Sequence, residues 1–94
     1  MSYLRRTVTT SKNAATAPTG TTGELLAAST AAERTAILKN TGDRTVYLAF
    51  GEAATTAKFP LVVGDTLKTN SLGAINGITA SGTGAVFVLA EEVA

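Results

Sequence analysis

Residues Thr45–Leu67 read TVYLAFGEAATTAKFPLVVGDTL, and the fold turns on how this stretch is read. It opens on a run whose apolar residues fall on both faces of a strand. Val46, Leu48 and Phe50 share one face, and Thr45, Tyr47 and Ala49 share the other. A small-residue loop, a proline and a Gly-Asp turn follow before the next strand-like run. Pro60 cannot donate to a sheet ladder, so Phe59–Val63 is expected at an edge or as an extended segment. A short chain has difficulty burying both faces of one strand, so something must cover the second.

Working outward, the same short-strand pattern repeats. ELLAAS (Glu24–Ser29), RTAILKNT (Arg34–Thr41), the TLKT of Thr66–Thr69, AINGITA (Ala74–Ala80) and GAVFVLAEE (Gly84–Glu92) each read as strands. TAAE (Thr30–Glu33) has the spacing of a capping box, and with nothing apolar after it predicts a single helical turn. The loop EAATTA (Glu52–Ala57) has room for another such turn. Gly42-Asp43 is a hairpin signal, so Arg34–Thr41 and Thr45–Gly51 are expected to pair antiparallel. No helical periodicity persists along the chain. The reading is all-β: a small antiparallel β-sandwich or barrel-like fold. Residues 23–94 form this domain, preceded by an extended N-terminal arm at 1–22.

The arm is rich in Thr, Ala and turn formers and poor in large apolar residues. Alone it buries too little to offset its ordering entropy, so it is either a solvated tail or a segment that orders along a partner. Its anchors in the second case are Tyr3, Leu4 and Val8, with Arg5 and Arg6 available to grip an acidic surface.

Alternation assigns a single core to Ala36, Leu38, Val46, Leu48, Phe50, Val86 and Val88, with Leu67, Ile75 and Ile78 added. Along the last strand Val86, Val88 and Ala90 face one way and Phe87, Leu89 and Glu91 the other. Ile37, Tyr47, Phe87 and Leu89 are thereby left on the outer faces. Either the arm or the loop Glu52–Val63 folds over them, or they form an apolar patch covered by another subunit.

Composition excludes much chemistry. The 94 residues include no Cys and no His, which rules out disulfides, thiolate metal sites and Ser-His-Asp or Cys-His catalysis. The acidic residues sit at turns or diverge along a strand. GTG at Gly82–Gly84 is too short for a phosphate loop. No enzyme, cofactor or metal is expected. Net charge is +1, from 8 basic and 7 acidic residues dispersed along the chain, which argues against a nucleic-acid partner. No run approaches the roughly 20 apolar residues of a membrane span, and no signal peptide is read.

Three stretches carry a family resemblance: AILKNTGDRTVYLAFG (Ala36–Gly51), AATTAKFPLVVGDTL (Ala53–Leu67) and AINGITASGTGAVFVLAEE (Ala74–Glu92). Their order resembles that of small tailed-bacteriophage virion proteins of the capsid decoration or cement type, accessory components of the head. The resemblance implies a β-sandwich that binds the major capsid protein of an assembled shell and stabilises it. It implies a homo-oligomer, a trimer where capsomers meet, located on the virion surface after assembly in the host cytoplasm. The interface would draw on Tyr3, Leu4, Arg5, Arg6, Val8, Ile37, Tyr47, Phe87 and Leu89. Alternatives are a host- or glycan-binding module, and a tail or connector component of the virion.

Overall fold

A computed structural model describes residues 7–94, with side chains from residue 14 onward. The strands are β1 (Thr7–Ala17), β2 (Gly23–Leu26), β3 (Arg34–Asn40), β4 (Val46–Phe50), β5 (Phe59–Leu61), β6 (Thr66–Thr69), β7 (Ile75–Ile78) and β8 (Gly84–Val93). They form two four-stranded sheets ordered β1-β8-β3-β6 and β2-β7-β4-β5, and every strand pairing is antiparallel. The β-branched and aromatic content of β3, β4 and β8 suits a pleated, half-buried surface. The all-β sandwich expected from the sequence is the fold observed.

The two sheets meet over one core. The first contributes Ala17, Ala36, Leu38, Val86 and Val88, and the second Leu25, Leu26, Val46, Leu48, Leu61 and Ile75. Phe50 and Leu67 pack against it from the margin. The face assigned to β3 and β4 from alternation is therefore the inner one. Ile78 is the exception. It lies opposite Tyr47 on β4, so it belongs to the outer face of the second sheet, where it joins Ala49 and Ala54.

The expected hairpin between β3 and β4 does not form. β3 pairs with β6 and β8, β4 with β5 and β7, and the Asn40–Thr45 connection crosses from one sheet to the other. Asn40 is the cause. Its buried carboxamide donates to the carbonyls of Arg44 (2.7 Å) and Leu61 (2.8 Å), and its Oδ1 accepts from Gly42 N–H (3.0 Å). These bonds turn the backbone out of the first sheet before it can fold back on itself.

On the same side the β5–β6 turn is tied to Asn40 through main-chain bonds, Asn40 N–H to Asp65 O and Gly64 N–H to Asn40 O. Asp65 N–H closes that turn on Val62 O at 3.0 Å, with Gly64 at φ 84°, a conformation that favours glycine.

β8 departs from simple alternation. Ile37 and Leu38 are adjacent in β3 but face Ala90 and Val88, so Leu89 is an extra residue at a β-bulge. The bulge reverses the phase beyond it. Val86 and Val88 face the core before it; Glu91 lies opposite Ala36 after it, on the core side. The outward placement read for Glu91 and the inward one read for Ala90, which lies opposite Ile37, are corrected accordingly.

Nor is there a helical turn at Thr30–Glu33; Ala31 N–H is held by the Ser29 hydroxyl at 3.1 Å. In the loop after β4, a single turn closes from Lys58 N–H to Thr55 O.

Candidate interaction surface

The second face of β4 is covered from within the chain. The loop after β4 lays Ala54 against Ala49 and Ile78, with Tyr47 packed alongside. Three bonds hold the loop there. Ala54 N–H donates to the Thr22 hydroxyl (3.0 Å), the Asn76 carboxamide donates to Glu52 O (2.7 Å), and Lys58 pairs with Glu52 at 2.8 Å. The small residues of EAATTA let this loop lie flat on the sheet.

The outer face of the first sheet has no such cover among the described residues. Ile37, Phe87 and Ala90 are half-buried there, and Lys39 and Lys68 are exposed beside them on β3 and β6. Leu89 sits at the bulge, also half-buried. Ile37 and Phe87 therefore share one outer face, with Leu89 at its bulge, while Tyr47 lies on the opposite side of the molecule. Val8 is in β1, paired with Glu92. Tyr3, Leu4, Arg5 and Arg6 lie outside the described residues.

Among the described residues the most exposed large apolar side chains lie on and just after β5: Phe59 at 47%, Val62 at 43% and Val63 at 52%. Alternation and the Pro60 signal place this segment at an edge, but periodicity says nothing about how exposed its side chains remain.

The part of the sequence-defined arm that is described, Thr7–Ala17, is the edge strand β1, paired with β8 from Thr7↔Val93 to Ala17↔Gly84. Ala17 belongs to the core and Ala15 packs against it. Small side chains are what this position accommodates, because β1 lies across from β2 at the mouth of the sandwich. Beyond β1, the Thr19 and Thr79 hydroxyls lie 2.8 Å apart beside Gly82 O and share their two protons among these three contacts, sealing the end of the sheets.

Arg34 is the main buried polar anchor, and its role was not apparent from sequence. It is 2% exposed. Its guanidinium donates to Ala27 O (2.5 Å), Gly73 O (2.7 Å) and Ser71 O (2.9 Å), and lies 3.4 Å from Glu91 Oε2. The Leu89 bulge turns Glu91 inward and so makes that ion pair possible. The fork geometry of arginine suits three carbonyls converging from two loops. This is a structural clamp, since every guanidinium nitrogen is occupied.

Among the described residues no group of three or more acidic, His or Cys side chains is placed to hold a metal ion. The surface depressions are shallow. One, of about 530 Å³, lies along the mouth between Ala14–Thr16 of β1 and Glu24–Ala27. Another is lined by Glu33, Arg34, Thr35 and Asn70, and beside these depressions the described surface offers apolar faces and strand edges. No protein-family model matches the chain, and no curated protein matches it.

Proposed function

We propose that this chain is a non-enzymatic structural protein of a tailed-phage virion, which decorates the assembled capsid shell and stabilises it as a homo-oligomer. The observation that carries the reading is the exposure of three large apolar side chains, Phe59, Val62 and Val63, on and just after the edge strand β5 of a small sandwich. The resemblance supplies the phage context. Large apolar side chains left exposed along one sheet edge suit a surface that another protein covers. A cement protein needs a rigid scaffold, a sticky rim and many copies. Repetition over a lattice turns a modest contact into durable attachment. Phe59, Val62 and Val63 contact the shell; the second sheet behind them holds them rigid.

The test is co-sedimentation with assembled shells and, in parallel, with unassembled capsid protein. The wild-type chain is expected to saturate shells at a fixed ratio and to raise their thermal rupture temperature. The Phe59→Asp/Val63→Asp double variant, altered only at exposed positions, is expected to bind at least tenfold more weakly while retaining its own melting temperature. A chain that ignores shells, or a variant that binds as well as wild type, overturns the reading.

A further inference from the structure

Three of the four sheet edges are guarded against another strand. β5 has three residues and carries Pro60. β6 has four and carries Lys68, and β2 has four with a register shift between Glu24 and Leu26. Short length, proline, lysine and irregularity all discourage pairing with another chain. The fourth edge, β1, has 11 residues. Its one charge, Lys12, falls at its one irregularity, between Thr10 and Asn13. Asn13–Ala17 is left as a regular ladder against β8, and its other edge carries no strand among the described residues.

The ladder fixes which main-chain groups of β1 point outward. In antiparallel pairing the N–H and C=O of one residue point to the same side, and the side alternates along the strand. Ala85 O accepts from Thr41 N–H at 3.0 Å, just beyond β3, so Ala85 directs its groups to β3. Its neighbours Gly84 and Val86 therefore direct theirs to β1, where they pair with Ala17 and Ala15. Ala14 and Thr16 are left directing theirs to the free edge. Gly23 of β2 comes near Thr16, where a Cβ would lie 3.4 Å from the carbonyl oxygen, so Ala14 offers the freer groups. Its side chain is exposed and small, and lies opposite Phe87 on the outer face.

We infer that this edge pairs with the same edge of a second copy, antiparallel about a two-fold axis, joining the two first sheets into one. A second copy brings three guarded edges and one open edge, so β1 is the strand it has to offer. About a two-fold axis each open edge closes the other in a single contact. Outward-directed residues must meet outward-directed residues, so the even-numbered positions of both copies lie on one face. The outer faces that carry Ile37 and Phe87 thereby become continuous across the axis. The product is a dimer, in place of the trimer implied by the resemblance. This goes beyond the shell-binding reading and does not rest on it.

The chain has no cysteine, so single-cysteine variants report one position each. Neighbouring strands lie about 4.8 Å apart, which puts Ala14→Cys of the two copies within reach of a short bismaleimide. Lys68→Cys, on the far edge strand of the same sheet, is the control. Cross-linked dimer is expected at least tenfold in excess of the control, and light scattering of the wild-type chain is expected to show a dimer. Ala14→Pro removes only an outward N–H and leaves the ladder to β8 complete, so it is expected to give a monomer with an unchanged circular dichroism spectrum. Ala14→Lys keeps the N–H and sets like charges across the axis; it is expected to weaken association at least tenfold, and it decides the matter if the proline variant does not fold. A monomer at every concentration, a trimer, cross-linking no greater than the control, or a dimer that persists in the folded Ala14 variants overturns the inference. Shell co-sedimentation is scored separately. Shell binding by a monomeric chain removes this inference alone, and a β1-linked dimer that ignores shells removes only the decoration reading.

Discussion

Arg34 shows how one buried residue can organise a fold. It sits at the start of β3, where the strand pattern reads it as an ordinary polar terminus, yet it is buried with three loop carbonyls and one carboxylate. Removing one partner of a buried, hydrogen-bonded charge network leaves the others unsatisfied in low dielectric, at about 3–5 kcal/mol. Arg34→Met keeps much of the stem volume and discards the donors. Its urea midpoint is expected to fall far enough to consume most of the stability of so small a domain, with Arg34→Lys intermediate, since an ammonium cannot reproduce the fork. A midpoint within experimental error of wild type would show that water replaces the guanidinium.

Among the elements, β1 is the one whose role changes most between sequence and structure. Its Thr and Ala residues lack the bulk that announces a core strand, and so read as an arm. Their value is steric: only small side chains fit where Ala15 and Ala17 meet the inner face near Gly84, at which a Cβ would come within 2.6 Å of Val46 Cγ2. Deleting residues 1–22 is therefore expected to expose the β8 edge and abolish cooperative thermal unfolding. Deleting residues 1–6 is expected to keep a cooperative transition. Circular dichroism melts of the two truncations decide it.

The core faces of β3, β4 and β8 up to Val88 were legible because alternation is enforced wherever one face is buried. The partner of each strand was not. Gly42-Asp43 is a sound local turn signal, and what overrides it is a carboxamide bonding to Leu61, which lies 21 positions along the chain. The Leu89 bulge likewise has no marker in the sequence, and it alone brings Glu91 to Arg34. The outer face with Ile37 and Phe87 was readable as apolar. The depression between β1 and β2 was not, because it depends on which edges end up side by side.

For the molecule as a whole, the connections alternate between sheets almost throughout. Only β4 and β5 are consecutive strands that also pair with each other. Non-local pairing of this kind must meet its loop-closure cost before any contact rewards it, so refolding is expected on a millisecond-to-second timescale. Stopped-flow dilution from urea, followed by tyrosine fluorescence, measures it; a submillisecond phase carrying the full amplitude would contradict the topology.

The same arrangement bears on biosynthesis. In the first sheet β8 lies between β1 and β3, and nothing else connects them. A nascent chain that has not yet presented Gly84–Val93 outside the ribosome therefore holds three strands of that sheet with no partner for β1. The β1 segment must wait for β8, whereas β3 can already pair with β6 and the second sheet needs no part of β8.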